Sequence, residues 1–134
     1  MNSASDVSDR EFSAYQRLGG EAGVRCLVDR FYELMDTLPE AGGIRSLHPP
    51  DLSSSRQKLF MFLSGWLGGP PLYSMQYGHP RLRARHLPFV IGEGERDAWM
   101  LCMSRALAEF DLDGMMREHL LQSLYKTADH MRNQ

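Results

Sequence analysis

The stretch GHPRLRARHLPF, residues 78–89, sets one histidine behind three arginines and ahead of an apolar pair split by a proline. Gly78-His79-Pro80 predicts a turn. RLRARH (81–86) has room for one short helix, and Pro88 closes it, because proline disfavours helical geometry in the residue before it. His86 therefore follows Arg81, Arg83 and Arg85 and precedes Leu87 and Phe89. A haem needs a neutral imidazole facing its iron, apolar walls on its two faces and cations near its two propionates. This segment offers an imidazole, neighbouring apolar residues and guanidinium groups. It also suits an exposed basic turn with an incidental histidine, and local chemistry alone leaves both readings open.

Outward from this segment the pattern is helical. Downstream, residues 93–110 carry Trp99, Met103, Ala106, Leu107 and Phe110 on one side. Residues 115–132 carry Leu120, Leu121, Leu124, Ala128 and Met131, with a turn over 111–114 between the two helices. Upstream, a helix is expected after Asp51, with Ser53 to Ser55 offering cap oxygens and Leu59, Phe62, Leu63 and Trp66 as its apolar face. Gly68-Gly69-Pro70-Pro71 ends it, and from there to Pro88 there is little long-range period. Residues 21–36 predict another helix, with Val24, Leu27, Val28, Phe31 and Met35 as a buried stripe and Tyr32 at its flank. Pro39, Gly42-Gly43 and Pro49-Pro50 leave room for one short helical turn around 39–46. Ser8 and Glu11 make a capping box for a short helix over 9–17, stopped by Gly19-Gly20. Residues 1–8 read as a flexible arm, and 9–134 as one domain. No stretch alternates with period two, so the expected class is all-α, with helices crossing around a pocket.

Composition narrows the function classes. With 15 basic and 17 acidic residues the net charge is -2, which gives no global electrostatic case for nucleic acid or membrane lipid. No apolar run approaches the roughly 20 residues that span a bilayer. The polar start MNSASDVSDR lacks a signal-peptide core, so a cytoplasmic protein is expected. Cys26 and Cys102 form no CxxC pair and read as reduced thiols. CxxCH is absent, so any haem would be held without thioether bonds. His119 and His130 lie off the apolar stripe of the last helix and read as solvated; His79 reads as a turn residue.

Five segments taken together are more specific: FY at 31–32, LHPPDL at 47–52, FLSGWLGGPPLY at 62–73, GHPRLRARHLPF at 78–89 and RDAW at 96–99. They resemble the group II truncated haemoglobins, over roughly residues 15–132. The resemblance implies a truncated globin, a two-over-two helical sandwich around haem b. It implies His86 as the proximal iron ligand and Tyr32 and Trp99 as distal hydrogen-bond donors. A loop position usually aromatic at the haem face falls on His48, after a few extra residues around Ala41 to Gly43. His48 is expected to share a hydrogen bond with Tyr32 or the ligand, and flexible Gly42-Gly43 would let it reach the iron in a ligand-free state. Ser55 falls where many globins keep histidine, which leaves the entrance open. Leu59 falls where some relatives carry glutamine, which concentrates donor work on Tyr32, His48 and Trp99. Lys58 and Arg85 match propionate partners. Phe62, Leu63, Tyr73, Phe89 and Met103 complete the expected haem contacts.

The implied ligands are dioxygen, carbon monoxide and nitric oxide, and the implied role is oxygen binding for transport or storage. The alternative is detoxification of nitric oxide or peroxide, a nitric oxide dioxygenase or peroxidase-like activity that needs an external reductase. Three distal donors favour slow release, which suits chemistry better than rapid delivery. The nine methionines read as flexible core filler.

Overall fold

A computed structural model describes residues 13–134, all helix and connection with no strand among them. The first described helix, α1 (Ala14–Arg17), is capped by Ser13, whose hydroxyl accepts from the Gln16 N–H at 3.4 Å. Gly19 and Gly20 then take φ of 106° and 68°, a left-handed geometry that ends the helix and costs glycine little. The Ser8–Glu11 capping box and the expected arm lie outside the described residues.

Helix α2 (Gly20–Thr37) buries Val24, Leu27, Val28, Phe31, Tyr32, Leu34 and Met35, the expected stripe widened by two residues. A single 3₁₀ turn (Pro39–Ala41) leads into α3 (Gly42–Ser46), which buries Ile44. Gly42 and Gly43, expected to be flexible, instead form the first turn of α3. Burial of Ala41 and Ile44 draws this segment onto the core and orders it.

Helix α4 (Ser53–Trp66) starts differently from expectation. Its cap oxygen comes from Asp51, whose carboxylate accepts from the Ser53 N–H at 2.8 Å, and Ser53 to Ser55 are already helical. The helix carries two apolar stripes. Phe60, Met61 and Leu63 are buried together with Ser64, whose hydroxyl donates to the Pro70 carbonyl at 2.7 Å. Leu59, Phe62 and Trp66, three of the four residues expected to form the core face, are only half-buried.

Helix α5 (Leu72–Tyr77) was not expected, because six residues are too few to show a period; it buries Tyr73. Helix α6 (Leu82–His86) follows as expected. Helix α7 (Glu93–Leu107) begins with the Glu95 carboxylate accepting from the Gly92 N–H at 2.7 Å, and α8 (Gly114–His130) completes the fold. Helix α2 packs against both α4 and α7, and α7 against α8, giving two helix pairs stacked through α2 and α7. Phe31, Cys102, Met103 and Ala106 are fully enclosed at their junction. No helix among the described residues is long and apolar enough to cross a membrane.

Candidate functional site

The proximal candidate, His86, is the last residue of α6 and is half-buried. Its Nδ1 lies 2.6 Å from the Leu82 carbonyl oxygen, one helical turn back. A carbonyl only accepts, so Nδ1 carries the proton, and a neutral ring then keeps its lone pair on Nε2. The chain just beyond presents apolar side chains to solvent: Leu87, Phe89 and Val90 are 56%, 41% and 66% exposed. Large side chains of this kind are normally covered when clustered.

The distal candidates converge from three helices and a loop. Tyr32 on α2 is buried and meets Phe31 edge-on at 5.0 Å, and Phe31 meets Trp99 of α7 at 5.1 Å. The Tyr32 hydroxyl donates to the Ser55 carbonyl at the start of α4, a long 3.4 Å bond. His48 stands edge-on to the Tyr32 ring at 5.9 Å, so the expected Tyr32–His48 hydrogen bond is replaced by an aromatic contact. The Tyr32 hydroxyl proton is taken by the Ser55 carbonyl, and the His48 Nδ1 donates to the Ile44 carbonyl at 2.8 Å. Burial pushes the Tyr32 phenol above its ordinary value, which keeps it a neutral donor. Trp99 is half-buried at the margin of this cluster, and Leu59 is half-buried on α4.

A cationic edge lies between α4 and α6. The Lys58 ammonium sits 6.0 Å over the Tyr77 ring, and the Arg85 guanidinium 5.8 Å over the Tyr73 ring. The two tyrosine rings are themselves 4.9 Å apart. Arg85 also donates through Nε to the Pro80 carbonyl at 2.9 Å. Lys58, Tyr73 and Arg85 are thus brought together, with Tyr77 as a member that sequence reasoning missed. The available signal was the i, i+4 spacing of Tyr73 and Tyr77, which puts both on one helix face. Phe62 is half-buried on α4, whereas Leu63 and Met103 lie in the closed core at 2% and 0% exposure. His119 and His130 are exposed; His79 is too, and its Nδ1 accepts from the Arg81 N–H at 3.1 Å.

These residues fit a haem. One imidazole nitrogen is left free to ligate, exposed apolar side chains flank it, α4 offers a half-covered apolar stripe, and two cations stand at one edge. Comparison with known proteins points the same way. The profile of the bacterial-like globins matches residues 13–133. The chain is 43% identical over 125 residues to the group 2 truncated haemoglobin YjbI of Bacillus subtilis (strain 168), spanning 93% of this chain and 92% of that one. Among solved structures it is similar to the cold-adapted truncated haemoglobin of Pseudoalteromonas haloplanktis TAC125, at 46% identity and a TM-score of 0.88, covering 91% of this chain and 98% of that one. It is similar too to the group II 2-on-2 haemoglobin of Agrobacterium tumefaciens, at 49% identity and a TM-score of 0.87, covering 91% and 95%. The chain belongs to the bacterial-like globins as a group II truncated, two-on-two haemoglobin, a family that binds oxygen or other small ligands through haem.

Proposed function

We propose that this protein binds dioxygen, and with it carbon monoxide and nitric oxide, on a non-covalently held haem b, for oxygen storage or transport. His86 is the iron ligand in this reading, and Tyr32, His48 and Trp99 form the polar part of the distal wall. The observation that carries the proposal is the 2.6 Å bond between the His86 Nδ1–H and the Leu82 carbonyl. It fixes the ring orientation and tautomer and raises the basicity of Nε2, as hydrogen bonds to metal-ligating histidines do.

The haem, when bound, supplies the iron that takes the gas. The chain's own residues do the rest. Phe89 and the stripe Leu59–Phe62 cover the macrocycle and exclude water. Lys58 and Arg85 meet its carboxylates, and partly exposed pairs of this sort contribute about 0–1 kcal/mol each. Trp99 offers its indole N–H, and Tyr32 its hydroxyl once released from the long 3.4 Å bond to the Ser55 carbonyl, to a ligand that carries partial negative charge, while Ser55 keeps the entrance side small. Cys26 is exposed on α2 and Cys102 is buried in α7, neither in a haem-attachment motif, which supports non-covalent binding.

The second reading, oxidation of nitric oxide or reduction of peroxide with electrons from an external reductase, is favoured by the crowding of Tyr32, His48 and Trp99 at one wall. Stopped-flow release of dioxygen, run alongside mixing of the oxygenated protein with nitric oxide, separates the two. Fast release with sluggish nitric oxide consumption supports storage or transport. Slow release with rapid consumption supports the second reading, and no reversible oxygenated spectrum at all would remove the first.

A further inference from the structure

The helix that carries His86 is held in an unusual way. Helix α6 has five residues, none of them buried, and isolated helices shorter than about 12–15 residues are marginal in water. Between residues 79–84 and 126–131 lies an open groove of about 630 Å³, lined by both α6 and α8. What ties it down is the end of the chain. Arg83 donates through Nη1 to the His130 and Arg132 carbonyls, at 2.8 and 3.1 Å. Asn133 does more. Its Nδ2 donates to the Phe89 carbonyl at 2.7 Å and, more weakly, to the His86 carbonyl at 3.5 Å. Its Oδ1 accepts from the Ile91 N–H at 3.0 Å, and its own backbone N–H donates to the Ile91 carbonyl at 2.9 Å. One side chain thus spans the backbone from His86 to Ile91. The buried residues Ile91 and Met131 anchor the two ends of this contact.

We propose that Asn133 is a positioning residue for His86, setting the depth and tilt at which the imidazole meets the iron. This rests on the reading of His86 as the iron ligand. The amide suits the task because it offers two donors and one acceptor in a single plane, matched to two carbonyls and one N–H of the segment that follows the ligand. Positioning of a metal-bound histidine by its outer partners alters both the strength of the bond and the retention of the metal group.

Asn133→Asp is the informative variant. It keeps the size, the backbone bond and an acceptor for Ile91, but it removes the donor and sets a carboxylate against the Phe89 carbonyl. In the haem-loaded ferrous protein its iron–histidine stretching band, read by resonance Raman, should move or broaden. Haem transfer to an acceptor apoglobin should speed by about 2- to 13-fold, the range expected for one net hydrogen bond. Arg83→Ala, which removes the other tie, should change both readouts in the same direction. An Asn133→Asp protein whose band position and transfer rate match wild type overturns the proposal, and so does one that only melts earlier with the band unmoved. A wild-type protein with no iron–histidine band contradicts instead the assignment of His86 itself.

Discussion

The two sides of the proposed haem site are built by different physics. On the distal side, Tyr32 sits on an 18-residue helix with seven buried residues, and its neighbour Phe31 is wholly enclosed between Tyr32 and Trp99. Apolar burial places these side chains, so they are as rigid as the core. On the proximal side, His86 ends a five-residue helix without one buried residue, and hydrogen bonds from Arg83 and Asn133 hold it. The two histidines nonetheless share one device: His48 bonds the Ile44 carbonyl and His86 the Leu82 carbonyl, each one turn back. The difference teaches that one wall belongs to the fold and the other is hung on it. Changes in the distal wall should therefore act on stability and ligand together, whereas changes in the proximal segment should act on haem with the fold left standing.

The sharpest break of that contrast is Phe31→Ala. Removing a fully buried phenylalanine costs about 3–5 kcal/mol, and here it also frees the rings of Tyr32 and Trp99. Urea unfolding measures the first effect and dioxygen release the second. His86→Ala is the counterpart. It should leave the unfolding midpoint of the apoprotein nearly unchanged yet weaken haem binding on the order of 100-fold or more, since losing even an outer partner of a ligand costs about 10–100-fold. If both variants unfold equally early, the contrast between the walls is wrong.

Smaller effects sharpen it further. Tyr32→Phe and Trp99→Phe should each speed dioxygen release by about 2- to 13-fold, from roughly 0.5–1.5 kcal/mol per neutral donor. Carbon monoxide, a poor acceptor, should respond less. The double variant should fall short of or exceed the sum, because the two rings are joined through Phe31. Equal dioxygen release from wild type and both single variants would mean that neither side chain reaches the ligand. Smallest of all, Lys58→Ala and Arg85→Ala should hasten haem transfer by no more than about fivefold each, the reach of a pair worth about 0–1 kcal/mol. An unchanged rate in the double variant removes both from the site.

Much of the fold was legible because α2, α7 and α8 are long enough for burial to repeat at helical spacing, and the glycine pairs 19–20 and 68–69 marked the ends of α1 and α4. Helix α5 was not, since six residues give no period and Tyr73 alone is buried there. The face of α4 was only partly legible because that helix is apolar on two sides: Leu63 is enclosed as expected, and Leu59, Phe62 and Trp66 pack half-buried against the core. What the pattern did not show is that Phe60, Met61 and Ser64 are enclosed alongside Leu63. Ser64 reads as polar until the Pro70 carbonyl that satisfies it is known. The candidate histidine was visible from its own neighbours, the arginines before it and Leu87 and Phe89 after it. Its supports were not. Asn133 lies 47 residues away in sequence, and no local pattern predicts that a tail amide will meet the Phe89 carbonyl. Tyr77 was hidden for a related reason, because its partner Lys58 comes from another helix.

The assignment on which everything else depends is that His86 ligates the iron through Nε2. The most direct measurement is the absorption spectrum of the ferrous, haem-reconstituted His86→Ala protein, before and after addition of free imidazole. The account predicts that the variant loses the five-coordinate histidine-ligated spectrum of wild type and regains it when imidazole fills the space left by the side chain. A His86→Ala protein that shows the wild-type ferrous spectrum without imidazole would contradict it.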